Sequence, residues 1–485
     1  MKICFVTSES EPFVKTGGLA DVSGSLPLAL TKLGCEVKIF LPFYDMIDSR
    51  RFGINSVKGI ENLEVKLGKK TSAFNLYTCR LSDTFIDVYF VDCPEYFHRK
   101  KVYTNDEDED ERFILFQNAV LISLQRLNWS PDIMHCNDWQ TALIPAYIKK
   151  NFRTDGLFRK TASVFSIHNI AYQGVFDKSS FLKTNFPVDD FQPLGPFEFN
   201  DLFCFLKAGI RYADIVTTVS PTYAKEIQTE KYGAGLEGVL VNEKEKLFGI
   251  LNGINDEVWN PQSDNLIYLK YCESCFEKKI KNKKELLKKA KLKFHEDTPL
   301  IGIVSRFAWQ KGFELFEPII QDLLAKDLQI IVLGEGEAQY EKFFKKISDA
   351  YPEKVHAFVE YNNEIAHQIT AASDIFLMPS KYEPCGLNQM YSLKYGTVPV
   401  VRKTGGLADT VRDADEYNEK GNGFTFDDFN SKHFFKKIER ALEYYMDKEK
   451  WRNIVKIGMN EDFSWNKSAK KYIEIYEKAL SKINY

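Results

Sequence analysis

Lys15 to Asp21 reads KTGGLAD, and Lys403 to Asp409 reads KTGGLAD again. The first copy follows KICFVTSESEP, whose apolar run Ile3 to Val6 predicts a buried strand; the second follows TVPVVR, another β-branched run. Each then turns on Gly-Gly into a stretch with helical spacing of apolar residues. A strand, a glycine turn and a helix make a β/α unit, and the amides that open such a helix form a seat for phosphate or sugar oxygens. The repeat therefore predicts two halves built alike, each offering such a seat.

Outward from the first copy, apolar β-rich runs alternate with helical stretches: CEVKIFLPF, IDVYFVDC, PDIMHC, ASVFSIHN, IVTTVS and LFGILNG, with PLALTKLG and FILFQNAVLISLQRL between them. This alternation predicts a mostly parallel sheet with helices on both faces. The pattern breaks after LNGINDEVWNPQSD into a lysine-rich helical stretch, KKIKNKKELLKKAKL, which places a domain boundary near Trp259. It restarts with LIGIVSRF, LQIIVLGEG, VHAFVEY, DIFLMPS and TVPVVRKTGG, a second doubly wound sheet. Ligands of such sheets gather beyond the carboxyl ends of the strands. Two of them facing each other predict a deep cleft. The closing segment KSAKKYIEIYEKALSKI is an amphipathic helix that either domain could end with.

A chain of 485 residues is too long for one core and suggests two or three domains. With 44% hydrophobic and 27% charged residues and a net charge of -3, it offers no polyanion surface, so no nucleic-acid partner is expected. No run approaches a membrane span, and Glu9 and Glu11 come too early for a signal peptide; no membrane partner and a cytoplasmic location are the expectation. Nine scattered cysteines read as reduced thiols, and the CxxC of Cys272 and Cys275, with no second pair nearby, as ordinary thiols on a charged helix. The acidic run Asn105 to Glu111 reads as a solvated loop.

Several polar groups fall at strand ends. In SRFAWQKG, Arg306 follows a strand and Lys311 lies where the next helix should start; the pair is either solvated or suited to a diphosphate. In KYEPCGLNQ, Glu383 lies just past another strand, as a partner of a helix dipole or as a ligand for hydroxyls or developing positive charge. HCNDWQTAL places Asp138, and SIHNIAYQG places His168, at the ends of two strands of one sheet, which raises the odds that they share a site. GEGEAQ, Gly334 to Gln339, lacks the third glycine of a dinucleotide fingerprint and is equally a phosphate turn or a structural one.

Together KTGGLADVSGSLP, HCNDWQTAL, HNIAYQG, ILNGIN, SRFAWQKG, EPCGLNQ and KTGGLADTV closely resemble the bacterial glycogen synthases and plant starch synthases, glycosyltransferase family 5, in order from Met1 to the final helix. The resemblance implies an α/β architecture of the GT-B type, two Rossmann-like domains with a cleft between them. Residues 1–259 would form the acceptor-side domain, 466–485 a helix crossing back onto it, and 260–465 the donor-binding domain. It also implies retaining transfer of glucose from ADP-glucose, with UDP-glucose as the alternative donor, to the non-reducing 4-hydroxyl of an α-1,4-glucan. No cofactor and no metal are expected. By motif, Lys15 with Gly17 and Gly18 would touch the donor, and Arg306 with Lys311 would neutralise the departing diphosphate. His168 and Asp138 would border the glucosyl unit, with Glu383 opposite. The turn of Cys385, Gly386, Leu387 and Asn388 would hold sugar and phosphate oxygens, Tyr361 would stack the adenine, and Asn252 would line the cleft.

The chain departs from the family pattern at Asn388, usually Thr, which bears on the donor nucleotide, and at Asn255, usually Asp. Tyr391 stands where many retaining GT-B enzymes carry a second glutamate. Rival readings are a sugar-nucleotide epimerase, which needs no glucan, and an idle glucan-binding protein, which would have lost the site residues. A nicotinamide-dependent dehydrogenase is disfavoured by the degenerate GEGEAQ. Oligomeric state is not legible.

Overall fold

Ile3 to Val6 is buried because its strand lies inside a sheet, flanked on both sides. The computed structural model describes residues 1–81, 84–152, 154–417 and 420–483. In chain order the strands of the large sheet are β1 (Lys2–Val6), β2 (Glu36–Pro42), β3 (Asn55–Ser56), β4 (Leu63–Leu67), β5 (Lys70–Arg80), β6 (Asp87–Asp92), β7 (Ile133–Asn137) and β8 (Ala162–Ile167). A small antiparallel sheet of β9 (Val175–Phe176), β10 (Glu198–Phe199) and β11 (Leu202–Cys204) interrupts them, and β12 (Ile215–Thr218) and β13 (Leu247–Gly249) complete the large one. Its order is β13-β12-β8-β7-β1-β2-β6-β5-β3, with β4 on β5. Pairing is parallel from β13 to β6 and antiparallel beyond.

The second sheet holds β14 (Leu300–Val304), β15 (Gln329–Leu333), β16 (Val355–Phe358), β17 (Ile375–Met378), β18 (Val398–Arg402) and β19 (Phe424–Phe426), in the order β16-β15-β14-β17-β18-β19, parallel throughout. Numbered within its own sheet this is 3-2-1-4-5-6, the doubly wound order whose switch point lies between the first and fourth strands. The parallel part of the large sheet has the same order, with its switch point between β1 and β7. The chain divides accordingly into Met1–Gly253 with Trp465–Tyr485, and Ile254–Ser464. Trp259 lies inside the second unit rather than at its edge. Its ring is sandwiched between His367 and Tyr391, with centroids 3.6 and 3.9 Å away, so the chain is already anchored to that unit before the residue at which the sequence pattern breaks.

The two KTGGLAD copies are not topological equivalents. The first follows β1, the first strand of its sheet and one side of its switch point; the second follows β18, the fifth. The counterpart of the first copy in the second unit is SRFAWQKG, which follows β14.

The acidic run is not a solvated loop throughout. A helix starts inside it, Glu109–Arg126, and buries Glu109 and Asp110. Arg112 donates to Glu109 at 2.8 Å, and Lys183 pairs with Asp110 at 2.7 Å and Glu111 at 3.0 Å. Arg112 on the same helix and Lys183 from far along the chain neutralise what the local sequence presents as bare charge.

The closing helix Trp465–Ile483 belongs to the first unit. Tyr476 on it meets the buried His135 of β7, with its hydroxyl 2.7 Å from Nδ1, while Ser166 of β8 sits 2.7 Å from Nε2. Burial lowers His135 to about 3 from its ordinary 6.5, so the native imidazole is neutral. Because the folded value lies below the unfolded one, the native state lags in taking up a proton as pH falls. Stability is intact above about 6.5 and lost between about 6.5 and 3. At pH 5 the loss from this group is about 2 kcal/mol by the linkage relation. In urea unfolding the stability difference between the native protein and His135→Asn should shrink by that amount from pH 7 to pH 5, and Tyr476→Phe should cost about 1 kcal/mol at pH 7 through the lost hydrogen bond.

Candidate active site

In the first unit Asp138 and the first KTGGLAD turn flank the switch point, His168 follows the neighbouring β8, and Asn252 follows β13 at the edge of the sheet. Asp138, immediately past β7, adopts φ 56, ψ -179, a left-handed conformation costly for a residue with a side chain. Three bonds hold it there. Its amide donates to the Ser166 carbonyl at 2.9 Å, its Oδ1 accepts from the His168 amide at 2.7 Å, and the neighbouring Asn137 donates to the Val6 carbonyl at 3.0 Å. The ends of β1, β7 and β8 are thus tied together, and Asp138 and His168 do meet. Since the Asn137 amide nitrogen is spent on Val6, its oxygen faces His168 Nε2 at 3.0 Å, so the imidazole donates from Nε2 and keeps a lone pair on Nδ1. Burial lowers His168 to about 3. It raises Asp138 to about 7, against the amides of His168 and Asn169 and helped by the charge of Glu9. Near neutrality this pair therefore consists of an uncharged imidazole and a carboxyl that can hold or release a proton.

The amides that open the first KTGGLAD turn are already in use. Glu9, buried just past β1, accepts from the Thr16 amide at 2.5 Å, the Thr16 hydroxyl at 2.7 Å and the Gly17 amide at 3.3 Å. Lys15 lies between Glu11 at 2.8 Å and Asp21 at 2.7 Å. Burial would lower Lys15, but Asp21 and Glu11 outweigh it and raise it; burial raises Asp21 to about 6 against the pull of Lys15. A Cβ added at Gly18 would meet nothing within 4 Å, and one at Gly17 only Glu9 Oε1 at 3.8 Å, so open space faces both glycines. Asn252, past β13, is buried with its Oδ1 lacking a hydrogen-bond partner among the described residues. Glu9, Asn137 and Tyr103 are additions that the sequence reading did not single out. Tyr103 shares a 2.8 Å hydrogen bond with Ser8, and its hydroxyl is pushed well above the usual range by burial, helped by the charge of Glu9. The position of Glu9 three residues beyond a buried strand was the available signal; Tyr103 offered none.

In the second unit the loops after β14 and β17 meet at the switch point. Lys311 donates to Glu383 Oε2 at 2.8 Å, and Ser380 donates to the same oxygen at 2.9 Å. Glu383 is 5% exposed, so it is a buried acidic side chain whose desolvation is offset by its cationic partner. Lys311 is not simply a free cation for a diphosphate, yet its ammonium has three N–H donors and this bond uses one. The Arg306 side chain is exposed and makes no hydrogen bond or ion pair among the described residues. The two loops clasp through Lys381 N to Gln310 O at 2.8 Å and Gln310 Nε2 to Tyr382 O at 3.1 Å. Cys385 is buried, Gly386 turns at φ 70, Leu387 is half-buried, and Asn388 donates to the Val304 carbonyl at 2.7 Å, tying the start of helix Asn388–Lys394 to β14. Tyr361 stands apart from this group. It is 74% exposed and follows β16, two strands from β14, about 10 Å away at ordinary strand spacing.

GEGEAQ resolves as a structural turn. The Phe307 amide donates to the Glu335 carbonyl at 2.8 Å and the Glu337 amide to the Phe307 carbonyl at 2.6 Å, while Gly334 and Gly336 leave no room for a Cβ against Ser305 and Phe307. It braces the Arg306 loop. The second KTGGLAD does the same for Glu383. A Cβ on Gly405 would lie 1.9 Å from the Glu383 carbonyl oxygen, one on Gly406 would lie 2.0 Å from that of Cys385, and the Gly406 amide donates to Glu383 and Pro384 at 3.2 Å each. Lys403 is exposed and pairs with Glu416 at 3.1 Å.

Residues 2–242 match the family model described as the starch synthase catalytic domain, and residues 284–457 that of the glycosyl transferases group 1. Over the full length of both chains the sequence is 45% identical to the glycogen synthase of Thermotoga petrophila. The chain belongs to the glycogen and starch synthase family. It is also 41% identical to the glycogen synthase of Clostridium novyi over 99% of this chain and all of that one. The starch synthase IV catalytic domain of Arabidopsis thaliana, solved bound to ADP and acarbose, superposes with a TM-score of 0.91 at 33% identity, covering 99% of each chain. Sucrose-phosphate synthase from Thermosynechococcus elongatus shares the fold alone, with a TM-score of 0.60 at 15% identity and 99% coverage of each chain. The two Rossmann-like units are those of a GT-B glycosyltransferase of the glycogen and starch synthase type.

The contrast between the repeats sets a test. Gly406→Ala forces the Cys385 carbonyl aside and should cut turnover by tenfold or more on the order-of-magnitude scale for a misplaced catalytic loop. Gly18→Ala meets nothing in the free protein and should leave its stability within about 1 kcal/mol, the helix-propensity range. Steady-state kinetics and thermal melts of both variants check this.

Proposed function

We propose that this synthase transfers glucose from ADP-glucose to the 4-hydroxyl at the non-reducing end of an α-1,4-glucan, with retention at the anomeric carbon. The observation that carries the reading is the Lys311–Glu383 pair beside the exposed Arg306 at the switch point of the second unit. Negative charge on a departing diphosphate is greatest in the transition state. Arg306 and the two uncommitted N–H groups of Lys311 are donors for it, stabilising the transition state more than the bound donor. Glu383, paired with Lys311, supports positive charge at the anomeric carbon in a same-face mechanism. The neutral His168 and the titrating Asp138 border the glucosyl hydroxyls, Asn252 offers a further acceptor, and Lys15 contacts the donor. Support for ADP as nucleotide, and for a glucan as acceptor, comes from the ADP and acarbose bound to the Arabidopsis relative. UDP-glucose is the alternative donor that Asn388 keeps open.

Labelled ADP-glucose and UDP-glucose, each offered with glycogen, test this directly. The expected result is amylase-digestible labelled polymer, faster from ADP-glucose. Label in neither polymer overturns the reaction, and an isomerised sugar formed without glucan would favour an epimerase. With two cations at the diphosphate, turnover should survive EDTA; loss restored by Mg²⁺ would refute those roles.

Lys15→Ala should reduce kcat by about a hundredfold, the range for a removed transition-state donor, whereas the exposed Lys403→Ala should change it little. Equal losses would refute the separate roles of the two copies.

Asp138 supplies a pH test. Asp138→Asn should remove an ionisation near 7 from the kcat/KM profile, leaving that limb flat.

A further inference from the structure

Cys272 and Cys275 lie outside the groups assigned to the reaction, and their surroundings differ from those of every other thiol. The other seven cysteines, Cys385 among them, are buried; these two are half-exposed. They close one turn, the Cys275 amide donating to the Cys272 carbonyl at 3.1 Å. The Cys272 amide donates to Cys275 Sγ at 3.0 Å, and Cys272 Sγ shares a 3.2 Å contact with Ser274 Oγ. The first and fourth Cα atoms of such a turn lie within about 7 Å, overlapping the span a disulfide bridges. The two are also unequal. Cys275 packs against the buried cluster of Ile267, Tyr271, Ala371 and Tyr395, of which Cys272 is no part. Hydrogen bonds from the Cys275 side chain and from Ser274 lower Cys272 below the ordinary thiol range, and the bond to Cys272 raises Cys275.

We infer that Cys272 and Cys275 form a reversible dithiol–disulfide pair, with Cys272 as the attacking thiolate and Cys275 as the resolving thiol. Toward a low-molecular-weight disulfide RSSR the steps balance. Cys272 S⁻ attacks one sulfur and expels RS⁻, giving a mixed disulfide. Cys275 then loses its proton to solvent and attacks the Cys272 sulfur, expelling the second RS⁻. Overall, two protein thiols are oxidised and RSSR is reduced to two RSH.

Trypsin should release both cysteines in one peptide, Tyr271 to Lys278, which makes the test direct. Native full-length protein is incubated with oxidised glutathione, alkylated with iodoacetamide, digested and weighed. The expected product is that peptide unalkylated and lighter by two hydrogen atoms, returned to the doubly alkylated form by dithiothreitol. Cys275→Ser should instead retain glutathione on residue 272, and Cys272→Ser should take up little at 275. In reduced protein, iodoacetamide should modify Cys272 first and lose rate at Cys275 sooner as pH falls. The inference is overturned if a buried cysteine reacts first, if Cys275 leads, or if both thiols remain alkylatable after glutathione.

Discussion

Much of the second unit depends on one steric constraint: backbone must lie against backbone where strands end. Gly405 and Gly406 sit so close to the carbonyls of Glu383 and Cys385 that no side chain fits between them. Gly334 and Gly336 do the same against Ser305 and Phe307, and Gly312 against Pro379, its added Cβ falling 2.1 Å from that carbonyl. Four loops, those after β14, β15, β17 and β18, therefore brace one another, and the charged side chains they carry inherit that rigidity. A buried carboxylate such as Glu383 costs several kcal/mol to desolvate unless its partner is fixed, and here the partner's loop is fixed by backbone contact.

The first unit reaches a similar end by other means. Side chains rather than glycines tie its strand ends together: Asn137 to Val6, and Asp138 to the His168 amide. The shared topology of the two sheets thus carries two local solutions. The repeated heptapeptide illustrates the difference, since its first copy faces open space while its second is filled by the chain itself.

Strands buried on both faces were legible because they read as continuous apolar runs; all the parallel strands up to β18 fall on such runs. The stretch Asn55 to Arg80 was not, because β5 alternates buried and exposed residues at an antiparallel edge and resembles a polar loop in a window that seeks runs. β19 is three residues long, too short to stand out. The placement of Asp138, His168, Arg306 and Glu383 just past strand ends was legible from position. What could not be read was pairing over long separations: Lys311 with Glu383, Lys183 with Asp110, and Glu9 with the turn amides. Charge in a sequence looks solvated until the fold brings its partner, which is why the acidic run was misread.

The pairing of His135 with Tyr476 also bears on how the chain is made. Residues 135 and 476 are 341 positions apart, and the helix that carries Tyr476 lies at the far end of the chain. Synthesis runs from the amino end, so the first unit waits for its last helix while the second, contiguous from Ile254 to Ser464, is complete in sequence beforehand. The unit translated first is the one finished last. Until then the face of β7 and β8 that receives the helix keeps His135 without its tyrosine, a surface for which a nascent chain needs shelter from association.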